Sequence, residues 1–135
     1  MMTLGPFAVA PDGTLSLRTP GLSPEIRFAW RGRLCEALMV EEGLRLRAIA
    51  GRIPSTAERG TDRHGTMRAV ADLPPDMPEG WRLRLTADHR LALETSSPIC
   101  ATAVAMVSEM VRFALTMDPY LSRLEDLGAN ALPSA

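Results

Sequence analysis

The sequence predicts an α+β fold, in which a mostly antiparallel sheet is covered by one long C-terminal helix. Short segments of alternating apolar and polar residues, typical of strands, fill the first two thirds of the chain. Residues 97–117, wound as a helix, are apolar around most of the circumference. Because a helix with so wide an apolar surface must be covered, we expect it to lie on the sheet that the strands form.

The first predicted element is a hairpin formed by residues 7–10 and 14–18. Pro11 presets the first turn position, Asp12 bonds its own backbone, and Gly13 takes the left-handed conformation. The segment that follows contains two prolines and is expected to be a loop.

Three further segments predict the centre of the sheet. Residues 26–31 alternate apolar and polar side chains, which indicates a strand with one buried face. Residues 33–40 fit a helix face as well as a strand, but Gly32 and Gly43 bracket them closely and favour a strand. Residues 44–50 begin with near-strict alternation and are expected to form the next strand.

The second half of the strand region is less uniform. Residues 55–65 are polar and charged and predict a surface loop. Residues 66–73 fit either a strand or a short helix, and the pattern leaves both open. Residues 81–86 and 91–94 predict a second hairpin, with a turn at 87–90.

The helix carries its own start and stop signals. Ser97 is a suitable N-cap, and Pro98 is favoured as the first helical residue. Asp118 and Pro119 are expected to end the helix, and residues 120–127 to form a short last helix.

Two adjacent apolar lines run along this predicted helix, where a surface helix needs about one. The first contains Ile99, Ala103, Met106, Met110, Phe113 and Met117. The second, a hypothetical interface, contains Cys100, Val104, Val107 and Val111. We expect the second line to contact a partner subunit, the first hairpin or the last short helix. If it is bare, it is a binding surface.

Length, composition and net charge limit the number of domains and the classes of partner that we expect. The chain has 135 residues, 46% apolar and 23% charged, and predicts a single domain over 1–128 with a flexible tail at 129–135. The formal net charge is −1, so a general nucleic-acid or anionic-membrane role has no electrostatic support. All fifteen basic residues are arginines, whose planar forks suit carboxylates and phosphates.

The predicted compartment is the cytoplasm. Cys35 and Cys100 lie far apart in apolar contexts, as expected of buried free thiols. The first residues resemble no secretory signal, and the longest uncharged run, 95–108, is too short to span a bilayer.

No motif predicts a catalytic centre, a metal site or a cofactor. His64 and His89 are isolated from other ligand residues, and no nucleophile elbow or glycine-rich phosphate loop is present. Asp72, Asp76 and Glu79 lie in a proline-rich loop, where solvating charges are expected rather than an acid–base pair. We therefore expect a protein that is not an enzyme.

Arginines recur on the polar face of the predicted strands, and this is the sequence pattern that could bind a ligand. The residues concerned are Arg27, Arg31, Arg45, Arg47, Arg82 and Arg84. One interpretation is an ordinary solvated face with Glu36 and Glu94 as cross-strand partners. The other is a basic face in which Arg27, Arg45, Arg47, Arg82 and Arg84 bind an acidic peptide or anionic ligand.

Residues 35–54 and 80–124 together resemble class I type III secretion chaperones and the similar YbjN-like proteins. The first segment resembles that family's strand, turn, strand and glycine-proline ending, and the second its final two strands and closing helix. The resemblance implies a non-enzymatic α+β sandwich that forms a homodimer and binds an extended segment of a partner protein.

Two functions are therefore expected as alternatives. The first is a non-catalytic, homodimeric, chaperone-like module that binds an extended partner segment. The second is a small anionic-ligand or lipid-headgroup binding domain that uses the strand arginines, since a curved sheet capped by a C-terminal helix resembles the outline of pleckstrin-homology-like domains.

Overall fold

The computed structural model describes residues 2–53, 65, 68 and 77–129 and confirms the α+β fold. Two antiparallel sheets precede one C-terminal helix, which packs on the larger sheet. The three-stranded sheet has the order β1-β2-β3 and contains β1 (Met2–Leu4), β2 (Phe7–Val9) and β3 (Leu15–Leu17). The five-stranded sheet has the order β4-β5-β6-β8-β7 and contains β4 (Glu25–Trp30), β5 (Arg33–Val40), β6 (Gly43–Arg52), β7 (Arg82–Leu85) and β8 (Arg90–Ser97). The helix is α1 (Ala103–Asp126).

The predicted first hairpin is β2 and β3, with Phe7 opposite Leu17. Its turn has the expected chemistry, because Asp12 Oδ1 accepts a hydrogen bond of 3.0 Å from the Thr14 amide and Gly13 has a φ of 89°. Strand β1 pairs with the other edge of β2 and was not anticipated from the sequence.

The five-stranded sheet confirms that 33–40 is a strand rather than a helix. Arg31 and Gly32 both have positive φ, 50° and 76°, which matches a two-residue hairpin turn between β4 and β5. Strand β6 extends past the predicted end at residue 50, with a register shift between Ile49 and Gly51. The second predicted hairpin is β7 and β8.

The predicted helix start at Ser97 and Pro98 is wrong. Ser97 is the last residue of β8 and pairs with Leu44, and the helix begins at Ala103. Thr102 is the N-cap, and its side-chain oxygen accepts a 3.2 Å hydrogen bond from the Ala105 amide.

The physical reason is pairing with the first hairpin. Ala101 accepts a hydrogen bond from the Leu15 amide, and Gly13 accepts one from the Ala103 amide, both at 2.9 Å. An isolated bridge also joins Thr14 to Thr102. These contacts hold the segment before the helix extended, so the helix starts five residues later than the local signals indicate.

The predicted helix end at Asp118 and Pro119 is also wrong, since α1 continues through Pro119 to Asp126. Pro119 has no amide hydrogen to donate to the carbonyl of Leu115. Both residues are exposed, so water can donate the hydrogen bond that this carbonyl lacks. The separate last helix predicted at 120–127 is the final part of α1.

The core lies between α1 and one face of the five-stranded sheet. Phe113 stacks on Trp81 with ring centroids 5.1 Å apart. The buried side chains that α1 contributes are Met106, Phe113, Ala114, Met117, Leu121 and Leu124. Ile99, which the sequence places on this line, is exposed in the segment before the helix.

Several sequence predictions lie outside the described residues. These are most of the predicted loop at 55–65, the ambiguous segment at 66–73 except Arg68, and the predicted tail at 129–135 except Ala129. Ala129 is buried, and its amide donates a hydrogen bond of 2.8 Å to the carbonyl of Leu124. Gly65 and Arg68 have helical backbone. His64, Asp72 and Asp76 are not among the described residues.

Candidate functional surfaces

The solvent-facing side of the five-stranded sheet carries a row of alternating charge, with one residue from each strand. Adjacent members are Cα partners in the strand register, and in sheet order they are Arg27, Glu36, Arg47, Glu94 and Arg82. The buried residues of β6, such as Leu46 and Ala48, alternate with this row. The row therefore lies on the face opposite α1.

Glu94 is the centre of this charge arrangement. Its carboxylate lies 2.9 Å from Arg84, 3.4 Å from Arg82 and 4.0 Å from Arg47, and its side chain is only 19% exposed. One carboxylate therefore faces three guanidinium groups. The register places Arg82 and Arg47 on its two sides, and Arg84 reaches it from the same strand as Arg82.

A groove of about 490 Å³ opens around this cluster. Its charged residues are Arg45, Arg47, Arg82, Arg84, Glu36 and Glu94. We call it the arginine groove. Four positive and two negative side chains leave it with an excess of two positive charges.

Two of these arginines have unused hydrogen-bonding capacity. Arg45 stands opposite Leu38 and Ser96 and has no ion-pair partner among the described residues. Arg47 Nε is buried and has no hydrogen-bond partner within the described part of the chain. The structure thus brings together four of the five arginines predicted as a site. Arg27 does not line the groove and forms its own exposed ion pair with Glu25 at 3.5 Å.

A second candidate surface is the side of α1 that faces away from the sheet. Four apolar side chains, between 41% and 76% exposed, follow one another there at helical spacing. They are Val104, Val107, Val111 and Leu115, and we call them the helix outer face. The first hairpin and the last turns of α1 leave this face bare.

The predicted interface line needs one correction and one addition. Cys100 is not on the helix: it lies in the extended segment before it, is 3% exposed, and its sulfur approaches the carbonyl of Pro98 at 3.5 Å. Leu115 belongs to the face and was not singled out from the sequence. Its spacing of four residues from Val111 was the signal that would have included it.

An ion-pair cluster fixes the second half of α1 to the β4–β5 hairpin. Glu125 accepts hydrogen bonds from Arg33 at 2.7 Å and from Arg31 at 3.1 Å. Trp30 and Arg31 also donate to the side chain of Asp118. The Arg33 hydrogen bond, together with the positive charges of Arg33 and Arg31, holds the pKa of Glu125 below its usual value.

The two thiols are free and buried. Burial raises the pKa of Cys35 to about 11, so this thiol stays protonated at neutral pH and is a poor nucleophile. Burial and the nearby Glu109 carboxylate also raise the pKa of Cys100. Within 2–53 and 77–129, no group of three histidine, cysteine or carboxylate residues is placed to hold a metal ion.

Comparisons with known proteins found no matching family model and no significant match among curated proteins or solved structures. In the part of the chain that the structure describes, α1 does not combine the length and apolar character needed to cross a bilayer.

Proposed function

We propose that this chain is a non-catalytic protein-binding module that pairs with a second copy of itself through the helix outer face. The observation that supports this most directly is the bare run of Val104, Val107, Val111 and Leu115 on a helix whose opposite side is already fully packed. Contiguous exposed apolar side chains on a soluble domain are typical of interaction sites.

The spacing on this face suits an antiparallel pairing of two α1 helices about a two-fold axis. With the axis between Ser108 and Val111, Val104 of one copy lies against Leu115 of the other, and the reverse contact follows by symmetry. Ser108 is small and exposed, so the helices can approach closely near the axis. Arg112 flanks the face and is paired with Glu109 on its own helix, so no uncompensated charge enters the contact.

Rigidity of the helix supports the same function. The contacts of Arg31 and Arg33 with Asp118 and Glu125 hold the second half of α1 against the sheet. A preorganised helix loses less conformational entropy on association than a mobile one.

The test is the oligomeric state of a Val111→Arg variant. Val111 is half exposed, so its burial contributes about 1 kcal/mol per copy and is counted twice in a two-fold dimer. We therefore expect Val111→Arg to weaken dimerisation at least about 30-fold, as measured by sedimentation velocity over a concentration series.

Leu34→Arg is the matched control, since Leu34 is equally exposed but lies on the sheet rather than on the helix. This variant should dimerise like the wild type. A wild-type chain that stays monomeric up to about 100 µM, or a Val111→Arg variant that remains a dimer, would overturn the proposed pairing.

The resemblance to secretion chaperones and YbjN-like proteins adds a second part to the proposal. The paired module binds an extended segment of a partner protein, and the sheet face opposite α1 exposes Arg45, Arg82 and Arg84 for such a contact. A reducing, cytoplasmic location is part of the same proposal and is supported by the two buried free thiols.

A further inference from the structure

We propose that the arginine groove binds the carboxylate side chains of an acidic, extended peptide. This inference rests on the proposed protein-binding function and specifies the chemistry of the partner segment. It does not depend on the helix outer face, because the groove lies on the other side of the sheet.

The arginines of the groove outnumber the carboxylates that neutralise them. Glu94 is shared by Arg47, Arg82 and Arg84, and one carboxylate cannot give three guanidinium groups a bidentate contact each. Arg45 has no carboxylate directly across either neighbouring strand. A second carboxylate in the groove would therefore meet donors that are already in place.

Arg47 also has unused hydrogen-bonding capacity. Arg47 Nε is buried without a partner among the described residues, and its distance of 4.0 Å from the Glu94 carboxylate is too long for a hydrogen bond. The Arg47 side chain as a whole is 40% exposed, so a carboxylate in the groove can draw its guanidinium outward and give this nitrogen an acceptor. That would recover the free energy that an unsatisfied buried donor costs.

The shape of the groove favours a peptide over a compact anion. The groove crosses β5, β6, β8 and β7, a span of about 14 Å at the usual strand spacing, which matches about four extended residues. Glu36 and Glu94 separate the arginines and would repel a dense anion such as a phosphate cluster. An extended chain can place its carboxylates beside the arginines and leave polar groups beside the glutamates.

The experiment is isothermal titration calorimetry at low salt with a peptide of about eight residues that alternates glutamate and serine. A peptide with glutamine in place of glutamate is the matched ligand control. We expect the glutamate peptide to bind the wild-type chain at least about tenfold more tightly than the glutamine peptide, and to lose affinity as salt rises.

Three variants locate the binding. Arg45→Gln removes the arginine that stands opposite Leu38 and Ser96 rather than opposite a carboxylate, and should weaken peptide binding at least about fivefold. Arg27→Gln removes an arginine of the same sheet face that does not line the groove, and should leave binding unchanged. Glu94→Gln frees three arginines and should strengthen binding about threefold or more, whereas a damaged fold would weaken it.

The inference is overturned if the two peptides bind equally, if Arg27→Gln and Arg45→Gln have equal effects, or if Glu94→Gln weakens binding while its thermal melting is unchanged. Inorganic phosphate that displaces the peptide with equal or higher affinity would identify a compact-anion site instead. Binding to phosphatidylserine vesicles without binding to the peptide would identify a membrane-surface site. All of these outcomes leave the dimerisation test unaffected, so the two proposals fail separately.

Discussion

Removal of Glu125 should destabilise the fold through the buried guanidinium that it neutralises. The Arg33 side chain is only 3% exposed, and its other donors are bound to the carbonyls of Ala50 and Arg31. Glu125→Ala leaves this cation without its counter-ion, a change that costs about 3–5 kcal/mol for a fully buried pair. Because the Glu125 side chain is 38% exposed, water can partly replace it, and we expect about 2–3 kcal/mol.

The assay is urea unfolding followed by circular dichroism, analysed at constant slope and at one protein concentration. Arg27→Gln disrupts an exposed ion pair and should cost less than about 0.5 kcal/mol. In a double-mutant cycle, Arg33→Met combined with Glu125→Ala should show a coupling of at least about 1 kcal/mol. A loss for Glu125→Ala no larger than that for Arg27→Gln, or additive changes in the cycle, would contradict this role of Glu125.

The remaining predictions concern pH and backbone geometry. Since the pKa of Glu125 is lowered in the folded state, its contribution is present above the unfolded pKa and is lost as pH falls through the folded value. Acid should therefore reduce the stability difference between wild type and Glu125→Gln, and a difference that stays constant down to pH about 2.5 would contradict this. Gly43→Ala should cost about 2–3 kcal/mol in thermal or urea unfolding, because its Cβ would overlap the Ser97 carbonyl oxygen at a φ of 148°. Gly32→Ala, where an added Cβ meets nothing, should cost only about 1 kcal/mol for its positive φ, and equal losses in both variants would contradict the overlap.

Hydrophobic alternation and turn residues are sufficient to predict most strands and the fold class. The alternation in β4 and β6 identifies the face that each strand buries, and the turn residues of the β2–β3 hairpin fix its position. The helix start could not be found in this way. Ser97 followed by Pro98 and Thr102 both satisfy the capping rules, and the choice between them is made by pairing with residues almost ninety positions earlier, at Gly13 and Leu15.

The residues of the arginine groove are predictable from the sequence, but their ion-pair partners are not, because these depend on pairing between distant strands. Alternation was enough to place Arg45, Arg47, Arg82 and Arg84 on one face, but only the strand register shows that Glu94 serves three of them. Arg33 illustrates the opposite case. It follows a turn glycine and resembles a solvent-exposed hairpin residue, yet the chain buries it against Glu125 from the far end of α1.

The most direct test of the central proposal is a distance between the two copies across the helix outer face. Arg112 is exposed and flanks that face, so spin labels on an Arg112→Cys variant report the separation without occupying the apolar contact. For antiparallel helices packed about 8–10 Å apart, we expect a narrow distribution of label distances at roughly 15–25 Å by pulsed electron paramagnetic resonance, lost in combination with Val111→Arg. A distribution centred beyond about 40 Å, or the same short distance with Val111→Arg present, would contradict pairing through this face.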